Sequence, residues 1–265
     1  MNIVITGANG FVGKNLYEEL SRNETYNVIK ITRDSSEDFL KASLKEADFI
    51  FHLAGINRPE TEEEFKIGNV GFTDKVIEYT LLNKKKPGIL YASSIQAANN
   101  NPYGNSKAEA ETLFDALKNN GNKVYIYRLN NLFGKWSKPN YNTVIATFCH
   151  KVARDEEIQV NDPNIELTLN YIDDVIAEFK RALDNQPTIK NGYGLVPNEH
   201  QVTLGRIADT IKQFRQDRID RTLPQLDNAF DKALYSTYLS FLPTDQFSYP
   251  LTMHKDCLLY TSPSP

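Results

Sequence analysis

The chain of 265 residues is 40% hydrophobic and 24% charged, with a formal net charge of −4, a composition typical of a globular protein with a core of its own. Neither the charge nor any basic run indicates nucleic acid or an anionic membrane surface as a partner. Two cysteines and four histidines form no disulfide framework and no metal-ligand spacing, so we expect no metal and a reducing compartment. No apolar run approaches the ~20 residues of a membrane span and the N-terminus leads directly into a strand, so we expect a cytoplasmic protein.

Strand and helix patterns alternate along the chain. The predicted strands of the first half are 2–6, 26–32, 48–53, 88–92 and 123–129, and predicted helices cover 36–45, 62–83 and 102–119. Such alternation predicts an α/β fold, a Rossmann-type doubly wound parallel sheet with helices on both faces. The later pattern is less regular, with helices predicted at 144–154, 174–185 and 204–221 and short strands at 158–160, 165–169 and 193–196. We expect one domain, residues 1–245, in which residues from about 140 to 242 form a smaller C-terminal substrate-binding lobe.

Glycines at three-residue spacing follow the first strand. The first permits a tight turn, the second lets a phosphate approach the backbone, and the third lets the following helix pack close to the strand. The helix N-terminus then offers unpaired N–H groups and a positive dipole end to a pyrophosphate. An ordinary strand–helix turn is the alternative, but we predict a dinucleotide site with contacts from Gly7, Asn9, Gly10, Phe11, Val12 and Gly13.

The end of the second strand bears on which dinucleotide binds. An NAD enzyme would place an acid there to accept a hydrogen bond from the ribose 2′-hydroxyl. Thr32 takes that position here, and the guanidinium of Arg33 beside it can pair with a 2′-phosphate through charge-assisted hydrogen bonds. We therefore predict NADPH as the cofactor. NADH stays the alternative, because Asp34 is one residue further on and Arg33 could be a plain surface charge.

Tyr103 and Lys107 stand four residues apart at the start of a predicted helix, and therefore on one face of it. An adjacent ammonium favours phenolate, so we expect the pKa of Tyr103 to lie below its usual ~10 and its phenol to serve as a general acid or base. The preceding strand ends at Ser93 and Ser94. Either hydroxyl could hold a substrate carbonyl against Tyr103, and we favour Ser94. The structural alternatives are a tyrosine packed on a lysine stem and a serine that caps a helix.

The glycine spacing, the Ser/Tyr/Lys set and the segment His52–Gly55 together resemble the extended short-chain dehydrogenases/reductases, the NAD-dependent epimerase/dehydratase family. The resemblance implies a hydride transfer between the nicotinamide and a carbonyl carbon. It implies that Tyr103 donates the proton, that Ser94 orients the carbonyl oxygen, and that Lys107 tunes Tyr103 and binds the nicotinamide ribose. The residues that it places beside the cofactor at the end of the third strand are Leu53, Ala54 and Gly55.

The segment Arg128–Gly134 resembles the R-x-x-N-x-x-G segment of the sugar-nucleotide members of that family. The resemblance implies substrate contacts from Asn131 and Arg128, in addition to Ser94. Leu167 replaces the arginine that grips the substrate diphosphate in most members, so another cation must serve. The candidates are Lys138, which we favour, Lys151 and Arg154.

Two further positions compare with the same family. Asn69 resembles an asparagine that disrupts a helix there. The stretch from Arg33 to Asp48 is short, so that one strand of the usual sheet is expected to be missing.

Five short segments narrow the resemblance, at 57–59, 94–97, 132–136, 138–142 and 234–239. They resemble a family of two-domain capsular-polysaccharide enzymes of UDP-N-acetyl-L-fucosamine synthesis, over residues 1 to about 256. In that family a C-terminal cupin domain epimerises C3 of a UDP-4-keto-6-deoxy-hexosamine, and the N-terminal domain reduces its 4-keto group with NADPH to UDP-N-acetyl-6-deoxy-L-talosamine. The resemblance implies a reductase domain at residues 1–245, a UDP-sugar substrate, a homodimer and, in the natural protein, a cupin domain in cis whose linker or start is residues 246–256.

Residues 257–265 follow with no pattern that links them to the rest, and they match the translation of a transposon-end adapter used in sequencing libraries. We expect this tail to be non-native. Two other functions stay open, a sugar-nucleotide epimerase or dehydratase that retains NAD and a non-catalytic NADP-binding regulator. Ile95 and Gln96 stand where a dehydratase usually carries an Asp-Glu pair, and a regulator would tend to lose the Tyr/Lys pair.

Overall fold

The computed structural model describes residues 1–57, 59–141 and 143–247. Its larger sheet has seven strands, which are parallel except for the last. In spatial order they are β2 (Asn27–Ile31), β1 (Asn2–Thr6), β3 (Phe49–His52), β4 (Gly88–Ser94), β5 (Val124–Leu129), β9 (Tyr193–Gly194) and β8 (Ile189–Lys190). The carboxyl ends of β1, β3 and β4 therefore meet at one edge of the sheet, where a ligand of such a fold binds.

Helices cover both faces of this sheet, because alternate strand residues point to opposite sides. Ile3 and Ile5 pack with α1 (Phe11–Leu20) and α8 (Ile172–Leu183). Val4, between them, faces the opposite layer. The helices of that layer are α2 (Glu37–Glu46), α4 (Phe72–Leu81), α5 (Pro102–Leu113) and α6 (Asp115–Asn119). The predicted doubly wound α/β architecture is confirmed.

A second sheet lies in the later part of the chain and has its own core. Its strands are β10 (His200–Thr203), β7 (Glu166–Tyr171) and β6 (Asn131–Phe133), and its helices are α7 (Val144–Val152), α9 (Leu204–Asp220) and α10 (Ala229–Leu239). Residues 158–160, predicted as a strand, have no regular structure, so that prediction is wrong. Two aromatic side chains of this core, Phe133 and Phe230, contact each other with ring centroids 5.7 Å apart. The core is continuous from β6 to α10. The limits predicted for the lobe, about 140 to 242, and for the domain, 1–245, stay a prediction.

The connection between β2 and β3 is a single helix, α2, and β3 pairs directly with β1. β2 is therefore the edge strand of the sheet, as expected from the short stretch between Arg33 and Asp48. The predicted helix 62–83 is one helical run of three parts, α3 (Glu62–Phe65), a π-helical turn (Lys66–Gly71) and α4. No helix in the described ranges is both long and apolar enough to cross a membrane. The predicted tail and, from residue 248 on, the predicted linker lie outside the described residues.

Candidate active site

The glycine turn after β1 fits closely against the end of β3. Gly7 has a φ of +68°, and a Cβ added to it would lie 2.8 Å from the backbone nitrogen and Cα of Ala54. A Cβ at Gly13 would lie 2.2 Å from the Gly7 carbonyl oxygen. Gly10 precedes α1 and provides no side-chain cap, so the first N–H groups of the helix stay available to an anion. This cradle, closed to any larger residue at Gly7 and Gly13, fits a pyrophosphate of a dinucleotide.

A buried polar network fixes the end of β3 beneath this turn. The His52 ring, fully buried, lies 2.8 Å from the Thr6 hydroxyl and 2.9 Å from the Thr73 hydroxyl. Burial lowers the pKa of His52 to about 3, so the ring is neutral at neutral pH. The Thr6 hydroxyl also accepts a hydrogen bond from the Ala54 N–H at 3.3 Å. The network thereby joins β1, β3 and α4.

Asn69 lies in the π-helical turn and holds the segment that follows β3. Its Oδ1 accepts the Ile56 N–H at 2.7 Å, and its Nδ2 donates to the Ile56 carbonyl at 3.0 Å and to the Ser106 hydroxyl at 2.9 Å. A Cβ at Gly55 would lie 3.1 Å from the Lys107 Nζ and 3.2 Å from the Asn69 Oδ1. The predicted cofactor segment Leu53–Gly55 and the predicted catalytic helix therefore meet at Gly55.

Tyr103 and Ser94 are brought together by the start of α5. Asn101 caps this helix by accepting the Gly104 N–H at 2.8 Å, and proline occupies its first position. The Ser94 hydroxyl lies close enough to the Tyr103 phenol to lower the pKa of that phenol, and it accepts the Gln96 N–H at 3.2 Å. Ser94 thus caps a 3₁₀ turn and contacts Tyr103 at the same time, so the structural and the functional interpretation of this serine are compatible.

Ser93, the competing choice, is engaged by another residue of α5. Its hydroxyl donates to a Glu111 carboxylate oxygen at 2.5 Å and is buried. This hydrogen bond engages Ser93 with a residue two helical turns further along α5 than Tyr103, whereas the Ser94 side chain acts on the phenol itself. This geometry favours Ser94 over Ser93 as the predicted substrate-orienting hydroxyl.

The pKa values of Tyr103 and Lys107 differ from those expected from the sequence. The Lys107 ammonium, almost fully buried, donates to the Ala92 carbonyl at 3.0 Å and lies 4.8 Å from the centre of the Tyr91 ring. Burial lowers the pKa of Lys107 to about 8, and the nearby Glu111 carboxylate opposes that shift. Burial raises the pKa of Tyr103, with the Ser94 hydrogen bond acting against it. The expected lowering of the Tyr103 pKa by Lys107 is therefore wrong for this structure, because desolvation dominates.

Arg33 lies just beyond the carboxyl end of β2, with its side chain exposed. The turn that carries it is fixed by a hydrogen bond of 3.0 Å from the Thr32 N–H to the Ser35 hydroxyl. The Ala8 N–H donates to the Ile31 carbonyl at 3.3 Å, which holds the glycine turn beside this strand end. Arg33 therefore lies next to the cradle, and its role as a 2′-phosphate ligand stays a prediction.

The residues predicted to contact the substrate do not gather around Tyr103 as the cofactor residues gather around the glycine turn. Arg128 forms a two-pronged ion pair with Glu111, with its Nη2 2.6 Å and its Nε 3.0 Å from the two carboxylate oxygens, and its guanidinium lies 4.1 Å from the centre of the Tyr193 ring. These contacts engage the Arg128 guanidinium with Glu111 and Tyr193, so we do not propose it as a substrate ligand. Asn131 is exposed at the start of β6 and is not brought into contact with Tyr103.

Lys138 is exposed, and its Nζ lies 5.6 Å from the centre of the Tyr141 ring. The two other candidate cations bind backbone carbonyl groups of their own lobe. The Lys151 Nζ donates to the Glu157 carbonyl at 3.3 Å, and Arg154 donates to the Phe241 carbonyl at 3.1 Å. The choice among the three cations stays a prediction.

Sequence reasoning missed three neighbours of this site. They are Phe65, whose ring centroid lies 5.7 Å from that of Tyr103, Gly104, where a Cβ would lie 2.1 Å from the Gln96 carbonyl oxygen, and Glu111. The helical spacing of Tyr103, Lys107 and Glu111, four residues apart each, was the available signal for the last. Across the described ranges no group of three or more His, Cys, Asp or Glu side chains could hold a metal ion.

Comparison with known proteins places the chain in a family. The NAD dependent epimerase/dehydratase family matches residues 3–193. The chain belongs to this family. It is thus an enzyme of the nicotinamide-dependent oxidoreductase type, as predicted, and its cofactor class is a nicotinamide dinucleotide.

Individual relatives are consistent with this membership. UDP-2-acetamido-2,6-beta-L-arabino-hexul-4-ose reductase of Pseudomonas aeruginosa is 46% identical over 97% of the chain and 69% of the relative. The capsular polysaccharide assembling protein CapF of Staphylococcus aureus is 58% identical, with a TM-score of 0.89 over 97% of this chain and 70% of that one. UDP-glucuronic acid 4-epimerase of Bacillus cereus, in complex with NAD, shares the fold at 18% identity, with a TM-score of 0.73 over 91% of this chain and 98% of that one.

Proposed function

We propose that this chain reduces the 4-keto group of a UDP-2-acetamido-2,6-dideoxy-hexos-4-ulose with NADPH, as a step in capsule or O-antigen polysaccharide synthesis. The supporting observation is the convergence of three segments: Ser94 lowers the pKa of the Tyr103 phenol, and Lys107 of the same helix lies so near Gly55 that an added Cβ there would be 3.1 Å from its Nζ. The similarity to a relative named for this reduction, 46% identical over 97% of the chain, supports the choice of substrate.

The cradle residues fit the cofactor in the following way. Gly10 and the N-terminus of α1 bind the pyrophosphate, Arg33 pairs with the 2′-phosphate of NADPH, and Lys107 binds the nicotinamide ribose. When bound, the nicotinamide supplies a hydride. Leu53 and Ala54 keep the backbone close to the dinucleotide, since Ala54 packs against Gly7 with no room for a side chain between them.

The chain's own part in the chemistry is proton delivery. Burial raises the pKa of Tyr103, so the phenol is protonated at neutral pH and is a proton donor rather than a base. Ser94 holds the carbonyl oxygen of the substrate beside that phenol. The carbonyl carbon gains hydride and its oxygen gains the Tyr103 proton, which yields the alcohol, and the phenolate is then reprotonated from solvent. A donor of this kind contributes ~10²- to 10⁴-fold to a rate.

The finer assignments form part of the same proposal. The product is UDP-N-acetyl-6-deoxy-L-talosamine, a precursor of UDP-N-acetyl-L-fucosamine. Asn131 and Lys138 contact the UDP-sugar, and Arg128 is left out for the reason given above. A homodimer, a cytoplasmic location and a cupin domain in cis in the natural protein stay predictions.

The test is a turnover assay with the 4-keto sugar and NADPH, followed by loss of reduced nicotinamide and by mass spectrometry of the UDP-sugar product. We expect Tyr103→Phe to lower kcat by ~10²- to 10⁴-fold while the Kd for NADPH stays unchanged. Tyr125→Phe is the matched control, because its hydroxyl contacts only Asn185 at 3.3 Å in the described part of the chain. Unchanged turnover in Tyr103→Phe would refute the proposal. Tightly held NAD that does not exchange would instead indicate an epimerase or dehydratase.

A further inference from the structure

The helix α5, which carries Tyr103 and Lys107, also carries a buried carboxylate that the proposed mechanism does not use. Glu111 is 7% exposed and follows Lys107 by one helical turn on the same face of α5. It accepts a hydrogen bond from the Ser93 hydroxyl at 2.5 Å and from the Tyr193 hydroxyl at 3.4 Å. With the Arg128 ion pair, three separate strands, β4, β5 and β9, each direct a polar group at this one carboxylate.

Such an arrangement is costly to build. A buried charge loses hydration, and its partner compensates only when the geometry is good and the remaining lone pairs are satisfied. Here the guanidinium fork and two hydroxyls fill the acceptor sites of Glu111. A neutral apolar cluster could join α5 to the sheet equally well, so the feature of this arrangement that calls for an explanation is the charge itself.

The neighbour whose protonated form this charge stabilises is Lys107. Its Nζ donates to a backbone carbonyl, Ala92 O, at 3.0 Å, and it has no carboxylate in direct contact among the described residues. The titratable groups that face it from the packed elements are Tyr103 and Glu111 of α5, Tyr91 of β4 and His52 of β3. Of these, Glu111 alone is a carboxyl group, and the others oppose no charge to the ammonium, since burial lowers the pKa of His52 and raises the pKa of both phenols.

We infer that Glu111, fixed by Arg128 and Ser93, is a positioning residue that keeps Lys107 protonated beside Tyr103. This inference rests on the proposed function in so far as Lys107 serves the Tyr103 site. Its consequence is that the two partners of the ion pair act on Lys107 with opposite signs. Removing the carboxylate destabilises the ammonium, whereas removing the guanidinium leaves an uncompensated carboxylate that stabilises it.

The test measures the protonation of Lys107 directly in the folded protein. The chain is labelled with [ε-¹³C]lysine, the Lys107 signal is assigned by its absence from Lys107→Met, and its chemical shift is followed against pH. The wild-type titration midpoint is expected near the lowered pKa of about 8. In Glu111→Gln we expect a midpoint lower by about one pH unit, the effect of a charge a few ångströms away. In Arg128→Gln we expect a midpoint at or above that of the wild type.

Controls separate charge from packing. Glu109→Gln removes an equal charge from an exposed position of the same helix and should leave the midpoint unchanged. Glu111→Asp keeps the charge with poorer fork geometry and should restore the midpoint towards that of the wild type. If Glu111→Gln does not fold, the double variant Glu111→Gln/Arg128→Gln leaves no unpaired buried charge, and its midpoint should lie below that of Arg128→Gln, from which it differs only by the carboxylate.

Two results would overturn the inference. One is a Lys107 midpoint unchanged by loss of the carboxylate, either in Glu111→Gln against the wild type or in the double variant against Arg128→Gln. The other is a fall in Arg128→Gln as large as that in Glu111→Gln, because disruption of the cluster would then matter and its charge would not. The expected titration pattern in a chain that reduces no keto sugar would count against the proposed function alone, since the measurement needs neither substrate nor cofactor.

Discussion

The two sides of the candidate cleft are built in different ways. On the cofactor side, contiguous segments meet at backbone distances that exclude side chains, as at Gly7 against Ala54 and at Gly13 against the Gly7 carbonyl. On the substrate side, the predicted contacts are exposed, like Asn131 and Lys138, or held by another residue, like Arg128. On the proposed assignment, cofactor recognition therefore depends on a fixed backbone, whereas substrate recognition depends on side chains that can change without disturbing the fold.

The largest effect is expected at the tightest backbone contact. Gly13→Ala puts a Cβ 2.2 Å from the Gly7 carbonyl oxygen, and because both atoms belong to the core turn, neither can move freely. We expect unfolding free energy to fall by about 1–3 kcal/mol and the Kd for NADPH to rise at least tenfold. Urea unfolding and nicotinamide fluorescence measure the two effects.

Gly71→Ala is the matched control for this prediction. Its added Cβ would lie 3.8 Å from the nearest atom, the Lys66 carbonyl oxygen, which is an ordinary contact. It should be tolerated in both assays. Equal losses in the two variants would mean that the cofactor side is no more constrained than the helix surface, and the contrast between the two sides would be lost.

The next effect concerns acid stability and the network under β3. The pKa of His52 in the folded chain, about 3, lies below the usual value of 6.5, so only the unfolded state takes up this proton between the two values. Stability is therefore intact above pH ~6.5 and decreases as the pH falls towards 3, by at most about 1.4 kcal/mol per pH unit from this group. His52→Phe, which removes the titrating ring, should flatten the dependence of urea unfolding on pH between 6.5 and about 4.5.

The control for the acid prediction is His150, a second histidine whose pKa is lowered by burial. His150 lies in α7, and burial lowers its pKa as well, but it is only half-buried. His150→Phe should therefore change the slope less than His52→Phe does. An unchanged slope in His52→Phe would show that the buried network titrates together with other groups and does not define the cofactor side.

This contrast also explains what the sequence could predict. The β1–turn–α1 unit, β4 and the start of α5 follow from glycine spacing, apolar runs and a Pro after an Asn cap, which are all local signals. The ion pair of Arg128 with Glu111 depends on β5 lying beside α5, which no local pattern contains. The resemblance implied a substrate contact from Arg128, and no local pattern in the sequence indicated the ion pair with Glu111 instead. The pKa of Tyr103 was misjudged because spacing reports the Lys107 charge but not the burial that outweighs it.

A smaller effect is expected at the cofactor 2′-position. Arg33→Gln removes the guanidinium beside the cradle, and loss of a charge-assisted pair at an exposed site should raise the Kd for NADPH about tenfold, or about 1.4 kcal/mol. The Kd for NADH should stay the same, because NADH has no 2′-phosphate. Lys30→Gln, which removes an equal charge from the preceding strand β2, is the control, since its Nζ lies 4.0 Å from the centre of the Tyr17 ring. A parallel loss of NADH affinity would contradict the assignment of Arg33.

The smallest effect is expected on the substrate side. Lys138→Gln should raise the KM for the UDP-sugar about fivefold at low salt with kcat unchanged, because an exposed ion pair contributes at most about 1 kcal/mol. Salt should reduce the difference, since exposed charges are screened. Lys151→Gln is the control, because its Nζ is directed at the Glu157 carbonyl. A rise in KM that equals the effect of Arg33→Gln on NADPH would mean that the substrate side is as firmly organised as the cofactor side. No change in KM at low salt would remove Lys138 from the diphosphate site and leave the exposed Asn131 as the remaining predicted contact of the lobe.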